Sequence, residues 1–470
     1  MTTLLIILNV FFVSFLDKPE KTAPQLSPRA VEQRAKWHIP TDEMDYPVSN
    51  TYLNQIRKAG ATVYHVSRWF NGATVEMDEQ TREKVSKLSF VTSVEMTRDE
   101  SDLPIYAPRK NRMRAQTCNE DFHWTDEQLA TYNLLPLHEA GYEGQGILMT
   151  VCDGGFHKAN TLSCFRQKEM ALGHFDLTDD ADDFYGPTGE HGTRCLSTIS
   201  GIENAYYCAA SKAQYYLMRS EENETESPKE MDNLVAALEK ADSLGVNIFS
   251  VSLGYAKFDK DEWTLPKSAL DGRTTRCSRA ATIAARKGML VCTAAGNEGY
   301  DDKWRTISAP ADADSILTVG AVGTDSIIGG FSSWGPAADG RIKPDVCAVG
   351  VATTLISSNG EIVQSNGTSF ATPLLAGMAA CLWSALPEEN AMQIRERIIL
   401  SADRYLNPDT KQYGYGIPDA WKAYTMSIPA GIQTPEEGGQ NIQSRKMLRN
   451  GRILIQRGGR VFTITGQRAE

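Results

Sequence analysis

Four short segments of this 470-residue chain carry side chains able to move a proton and attack a carbonyl. Asp153 closes the apolar run ILMTVC and precedes Gly154-Gly155, which puts a carboxylate at the carboxyl end of an expected strand. His191-Gly192-Thr193 leads into TRCLSTISG, which reads as a helix. Asn297 follows the strand-like MLVCT and the small residues Ala294-Ala295-Gly296, offering a side-chain amide at another strand end. Ser369 lies in Asn366-Gly367-Thr368-Ser369, just ahead of the helical FATPLLAGMAACLW. There the helix dipole and free amide hydrogens favour a developing negative charge. An acid, a base, an amide donor and a hydroxyl are the parts of acyl transfer. A serine hydroxyl attacks only when an imidazole takes its proton, and the imidazole needs a carboxylate to fix its tautomer. The oxyanion needs preorganised donors, for which the Asn297 side chain and the Ser369 backbone amide are candidates. Each segment alone is usually a turn; it is their joint presence that points to chemistry.

These groups need a rigid scaffold to meet. Strands are expected at Gly146 to Cys152, Ala213 to Arg219, Val246 to Ser252, Met289 to Thr293 and Ile316 to Val319. All are short apolar runs of the kind buried on both faces of a parallel sheet. Between the second and third, Met231, Leu234, Val235, Leu238 and Ala241 form a helical stripe that ends at Gly245. Strand, helix, strand in repetition predicts an α/β domain with a doubly wound, mostly parallel sheet, whose site lies beyond the carboxyl ends of the strands. The chain order Asp, His, Ser also separates it from hydrolases that carry Gly-x-Ser-x-Gly and run serine, acid, histidine.

Ahead of this domain, residues 17–117 read as a small α+β domain and linker. The expected order is a helix at Asn50 to Ala59, strands in ATVYHVSRWF and ATVEM, a helix in DEQTREKVSKL and a strand in FVTSVEM. A leading strand is expected near Tyr46 to Val48. The linker SDLPIYAPRKNRMRAQT carries Arg109, Lys110, Arg112 and Arg114 without periodicity. Residues 1–16 hold the apolar run LLIILNVFFVSFL, too short to span a bilayer comfortably and of the length of an export signal; the alternative is a buried helix or strand. No Lys or Arg precedes it. The signal reading makes this a secreted, cell-surface or periplasmic protein. The main domain covers 118–428, a Gly/Pro/Gln-rich linker 429–446, and a hairpin-like tail 447–470.

The chain resembles the subtilisin family of serine endopeptidases. The matching segments are Val151 to Gly155, His191 to Thr193, Ser252 to Gly254, Ala295 to Asn297, Phe331 to Pro336, Lys343 to Val346 and Gly367 to Pro373. The resemblance implies Asp153, His191 and Ser369 as a triad and Asn297 as the oxyanion donor. It further implies Ser252, Leu253, Gly254 and Ala294, Ala295, Gly296 as extended edges that hold substrate backbone by strand addition. Cys152 stands where the family more often has Thr, Ser or Ala. The first domain resembles the family's inhibitory propeptides, so the chain's own propeptide is an expected intramolecular inhibitor, with maturation cleavage in the basic linker. The tail resembles short sorting tails of secreted proteins from Bacteroidetes-type bacteria; a simple hairpin is the alternative. A peptide ligase or cyclase using the same site, and a catalytically silent binding protein of this fold, are the rival functions.

Composition narrows the partners. Lys plus Arg total 48 against 59 for Asp plus Glu, a net charge of −11, with no basic stripe to follow a nucleic-acid backbone. A mean hydropathy of −0.35 argues against a multi-span membrane protein. The nine cysteines include no Cys-x-x-Cys pair, and those in apolar runs, such as Cys152 and Cys292, read as core residues. The chemistry requires neither a metal nor an organic cofactor. The acidic run Asp176 to Asp183 could take calcium but lacks the spacing of a known calcium loop, so a solvated loop is expected. Glu221, Glu222, Glu224, Glu226 and Glu230 are expected to form an exposed approach to a helix N-terminus. Asn366-Gly367-Thr368 fits a glycosylation sequon but abuts Ser369.

Overall fold

The computed structural model describes residues 8–99, 114–115, 125–165, 168–178, 183–187, 189–222, 225–427, 445–449, 452–457 and 460–463. Most of the basic linker, the middle of the Asp176–Asp183 run and Glu224 therefore lie outside the described residues.

Seven strands form the central sheet in the order Val346–Val349, Leu317–Val322, Leu290–Ala294, Ile248–Val251, Leu148–Asp153, Gln214–Arg219 and Ala171–Asp176. Every neighbouring pair is parallel. Both faces are covered, and the period-two alternation of strand side chains shows it. Met149 and Val151 belong to one hydrophobic core, while Leu148 and Cys152 belong to the other. The first core contains the helices His191–Ser200 and Thr368–Ala385, the second Lys229–Leu244 and Arg276–Arg286. Thr368–Ala385 is long and apolar enough to cross a bilayer, but here it lies buried under the sheet. The eight described cysteines are all buried.

All five expected strands are present within a few residues of their predicted limits. Two more extend the sheet at its edges. Ala171–Asp176 has no fully buried position and so lacks the apolar signal of an inner strand, while Val346–Val349 is a fully buried run of four residues.

The first domain is a four-stranded antiparallel sheet ordered Thr62–Ser67, Gly72–Met77, Asn9–Phe15, Val91–Arg98, with helices Asn50–Ala59 and Glu79–Ser86. The helices start where expected because Ser49 and Asp78 cap them, accepting from the Tyr52 and Thr81 amides at 3.2 and 2.7 Å. The leading strand is not at Tyr46 to Val48. It is Asn9–Phe15, an inner strand whose Phe11, Val13 and Phe15 sit in the domain's core with Val75 and Ile56. The export-signal reading of residues 1–16 is corrected accordingly. A seven-residue apolar strand paired on both sides has the same composition as a signal core, and burial accounts for the apolarity of Asn9–Phe15.

This domain and the sheet domain pack as one unit, with the sheet of the first lying against the helices Lys229–Leu244 and Arg276–Arg286. Ser67 Oγ and the Arg68 amide donate to Glu239 at 2.6 and 2.9 Å, and Arg276 reaches Glu95 at 2.6 Å. Within the linker, Arg114–Ala115 pairs antiparallel with Ile362–Ser365, the strand that leads into Asn366 and Ser369. Residues 425–470 are a separate unit. Its strands Arg445–Arg449, Arg452–Arg457 and Arg460–Thr463 form a three-stranded antiparallel sheet, one strand more than a hairpin.

Candidate active site

Parallel strands all end on the same side of the sheet, and the expected residues collect there. Asp153 is the last residue of its strand, Ser252 follows Val251 on the next, and Asn297 lies three residues past Ala294 on the one after. His191 is the first residue of its helix, and Ser369 lies in the first turn of Thr368–Ala385.

Asp153 is fully buried, and its Oδ1 accepts both from His191 Nδ1 and from the Gly154 amide at 2.8 Å. Gly192 makes this approach possible. A Cβ there would lie 2.6 Å from the Gly155 carbonyl oxygen and 2.8 Å from Asp153 Cβ, so a larger residue would push the helix off the strand end. With Nδ1 held, Nε2 is the nitrogen left for the cleft of about 220 Å³ that His191 lines with Ser369, Asn297, Phe331, Asn366, Gly367 and Phe370. Burial lowers the His191 pKa, but the Asp153 carboxylate and the adjacent Cys195 outweigh it and hold the imidazole well above its ordinary value. Ser369 Oγ donates to the Ser252 carbonyl at 3.3 Å, while Ser252 Oγ and Cys195 Sγ donate to the Ser369 carbonyl at 2.8 and 3.3 Å.

Asn297 is oriented by a residue to which the motifs alone assign no role. Thr368 donates its amide and its hydroxyl to Asn297 Oδ1 at 2.9 and 3.0 Å, which leaves Nδ2 as the free end of the side chain. Gly296 supports the turn with a φ of +107°, and a Cβ there would lie 2.8 Å from Ser333 Oγ. Ser333 in turn donates from its amide to the Gly296 carbonyl at 3.0 Å, which explains why Phe331 to Pro336 accompanies the site.

Not every expected site residue is placed to hold substrate. Leu253 is half-buried and Gly254 exposed. By contrast, Ala294 is inside the sheet, the Ala295 amide donates to Val319, and the Gly296 amide donates to Thr368 Oγ1. Ala294, Ala295 and Gly296 therefore form the wall behind Asn297, not a free edge for strand addition.

The acidic segment after Arg219 is also unlike its expected form. Glu230 is fully buried and Glu222 nearly so, the latter paired with Lys229 and Arg98. Glu221 lies against Gly154, beside the Asp153 turn, and accepts from Tyr255 at 2.6 Å. Burial and the neighbouring Glu226 push its pKa up to about 8. Asp176, at the start of the other acidic run, is bound by Arg219.

Comparison with known proteins agrees with this geometry. The model of the Subtilase family matches residues 144–416. The chain belongs to the subtilase family. A second model, the Peptidase S8 propeptide domain of Bacteroidota, matches residues 10–116, starting inside the strand Asn9–Phe15. Serine protease AprX of Bacillus subtilis is 25% identical over 314 residues, covering 59% of this chain and 66% of its own length. Subtilisin DY of Bacillus licheniformis is 26% identical over 278 residues, 59% of this chain and 90% of that protein. Among solved structures, MycP1 from Mycobacterium smegmatis superposes with a TM-score of 0.54 at 20% identity, covering 70% of this subtilase and 94% of MycP1, a likeness of fold.

Proposed function

We propose that the chain is a serine endopeptidase made as a self-inhibited precursor, with Ser369 as nucleophile, His191 as general base and then acid, Asp153 as the group that orients His191, and Asn297 as oxyanion donor. The observation that carries the reading is the 2.8 Å bond from His191 to the buried Asp153, in the cleft that also holds Ser369 and Asn297. Rotation about the Ser369 Cα–Cβ bond exchanges the Ser252 carbonyl for His191 Nε2. Oγ then attacks a peptide carbonyl as its proton passes to Nε2; the amine leaves with that proton, and water hydrolyses the ester through the same base. Asn297 Nδ2 and the Ser369 amide hold the oxyanion meanwhile. The reaction uses no metal or organic cofactor. The docked propeptide domain and the pairing of Arg114–Ala115 beside the strand leading to Ser369 support a precursor whose linker passes the site.

A fluorophosphonate probe tests the nucleophile. It should label the matured native protein and leave Ser369→Ala unlabelled; equal labelling of both, or of neither when both are folded, contradicts the assignment.

A further inference from the structure

The propeptide sheet is not the only part of the first domain that grips the catalytic domain. Between the strand Asn9–Phe15 and the helix Asn50–Ala59, the chain leaves the sheet and forms the helix Pro28–Lys36. This segment lies on the C-terminal end of Lys229–Leu244. The Ser27 amide donates to the Ser243 carbonyl at 2.8 Å, and Arg29 reaches the carbonyls of Gly245 and Gly146 and the Asn247 side chain. Gly245, in a left-handed conformation with a φ of +75°, serves as the seat: a Cβ there would lie 2.7 Å from the Ala30 nitrogen.

Four buried charges from the two sides then alternate. Arg34 binds Asp45 of its own segment at 2.8 Å and Asp242 of the catalytic domain at 2.8 Å, and Lys287 of the catalytic domain binds Asp45 at 2.7 Å. None of these four side chains is more than 6% exposed. The void beside them, about 10 Å³, is no larger than one water needs. Farther along, Trp37 packs on Trp383 with ring centroids 5.5 Å apart, and Ile39 fills the space beside Gly288. Removing the segment would leave Lys287 without its buried partner Asp45, leave Asp242 with Arg68 of the propeptide sheet alone, and bare Trp383, so each surface is complete only with the other.

We propose that the face of the catalytic domain around Asp242, Lys287 and Trp383 is a docking site for the chain's own segment Ser27 to Asp45, and that this site retains the propeptide after the linker is cut. The inference rests on the reading that maturation cuts the linker. Cleavage then opens the site without freeing the inhibitor, and release becomes a separate step governed by this second hold.

The test uses the full chain carrying Ser369→Ala, with a recognition sequence for an added protease inserted after Pro108. Once cutting is complete, the two fragments should co-elute on size exclusion. Arg34→Met in the same background should speed their separation roughly thirtyfold or more. Glu95→Gln, on the exposed rim of the sheet contact, should change it by less than about fivefold. Hydrogen exchange on the cut chain with Arg34 intact provides a second measurement that does not depend on how Arg34→Met folds; amides of Pro28–Lys36 should stay protected. Separation at once with Arg34 intact, equal rates with and without Arg34→Met, or unprotected helix amides in the complex would each overturn the proposal. Because the added protease makes the cut, a failure of the Ser369 assignment shows elsewhere, as a native chain that never cleaves itself.

Discussion

Thr368 holds Asn297 by its carbonyl oxygen, with the backbone amide at 2.9 Å and the hydroxyl at 3.0 Å. An asparagine amide can point either end into a cleft, and only the nitrogen can donate to an oxyanion. Two donors on Oδ1 settle which end faces inward before any substrate arrives. Thr368 is thus a positioning residue, and its neighbour Ser369 is placed by the same helix turn.

Removing the hydroxyl should loosen that orientation without deleting the donor. Thr368→Ala is expected to lower kcat roughly tenfold with little change in KM, whereas Asn297→Ala should lower kcat by about 10²–10³-fold. Steady-state kinetics on a chromogenic peptide amide separates the two. An equal loss in both would mean that Thr368 acts on more than the amide's orientation.

The raised pKa of His191 sets the pH dependence. A general base must be neutral, so kcat/KM of the free enzyme should climb along an acid limb whose midpoint lies above the ordinary histidine value of 6.5. Asp153→Asn removes the main charge that raises it, so the limb should move down while kcat falls by roughly 10⁴-fold. Linkage gives a matching sign for stability. The folded state holds the proton more tightly, so this contribution is fully present below about pH 6.5 and is lost as pH rises through the folded value.

The close approach at Gly192 makes a steric prediction. A methyl group there meets the Gly155 carbonyl oxygen and Asp153 Cβ, both within 2.8 Å. Gly192→Ala should destabilise the protein by about 1–3 kcal/mol and cost more activity than stability, because the His191–Asp153 bond is what the displacement stretches. Thermal unfolding beside peptidase activity measures both.

Phe11 tests the corrected N-terminus. It is 2% exposed in the propeptide core. Phe11→Ala should destabilise that domain by about 3–5 kcal/mol and reduce the yield of folded, processed protein. A removable export signal would tolerate the change with folding unaffected.

The sequence conveyed the sheet well where strands were buried on both faces, because Leu148–Asp153 and Leu290–Ala294 are mostly apolar and leave no exposed position to confuse the period. It conveyed the reacting groups because Asp153, His191, Asn297 and Ser369 each sit in a short segment with distinctive glycines. It was ambiguous at Asn9–Phe15, where a core strand and an export signal share one composition. Nor did it show the carboxylates Glu222 and Glu230 to be buried, since the cations near Glu222 come from Arg98 and Lys229, one of them more than 120 residues away. The engaged amides of Ala295 and Gly296, and the role of Thr368, depend on side-chain directions that no spacing encodes.

The central claim is that Ser369 cleaves its own precursor. The intact mass of the purified native chain beside Ser369→Ala tests it most directly. The native chain should lose a fragment ending between Ser101 and Cys118, while Ser369→Ala keeps its full length. If both chains are cut alike, or both remain whole, Ser369 does not mature this protein and the account is wrong.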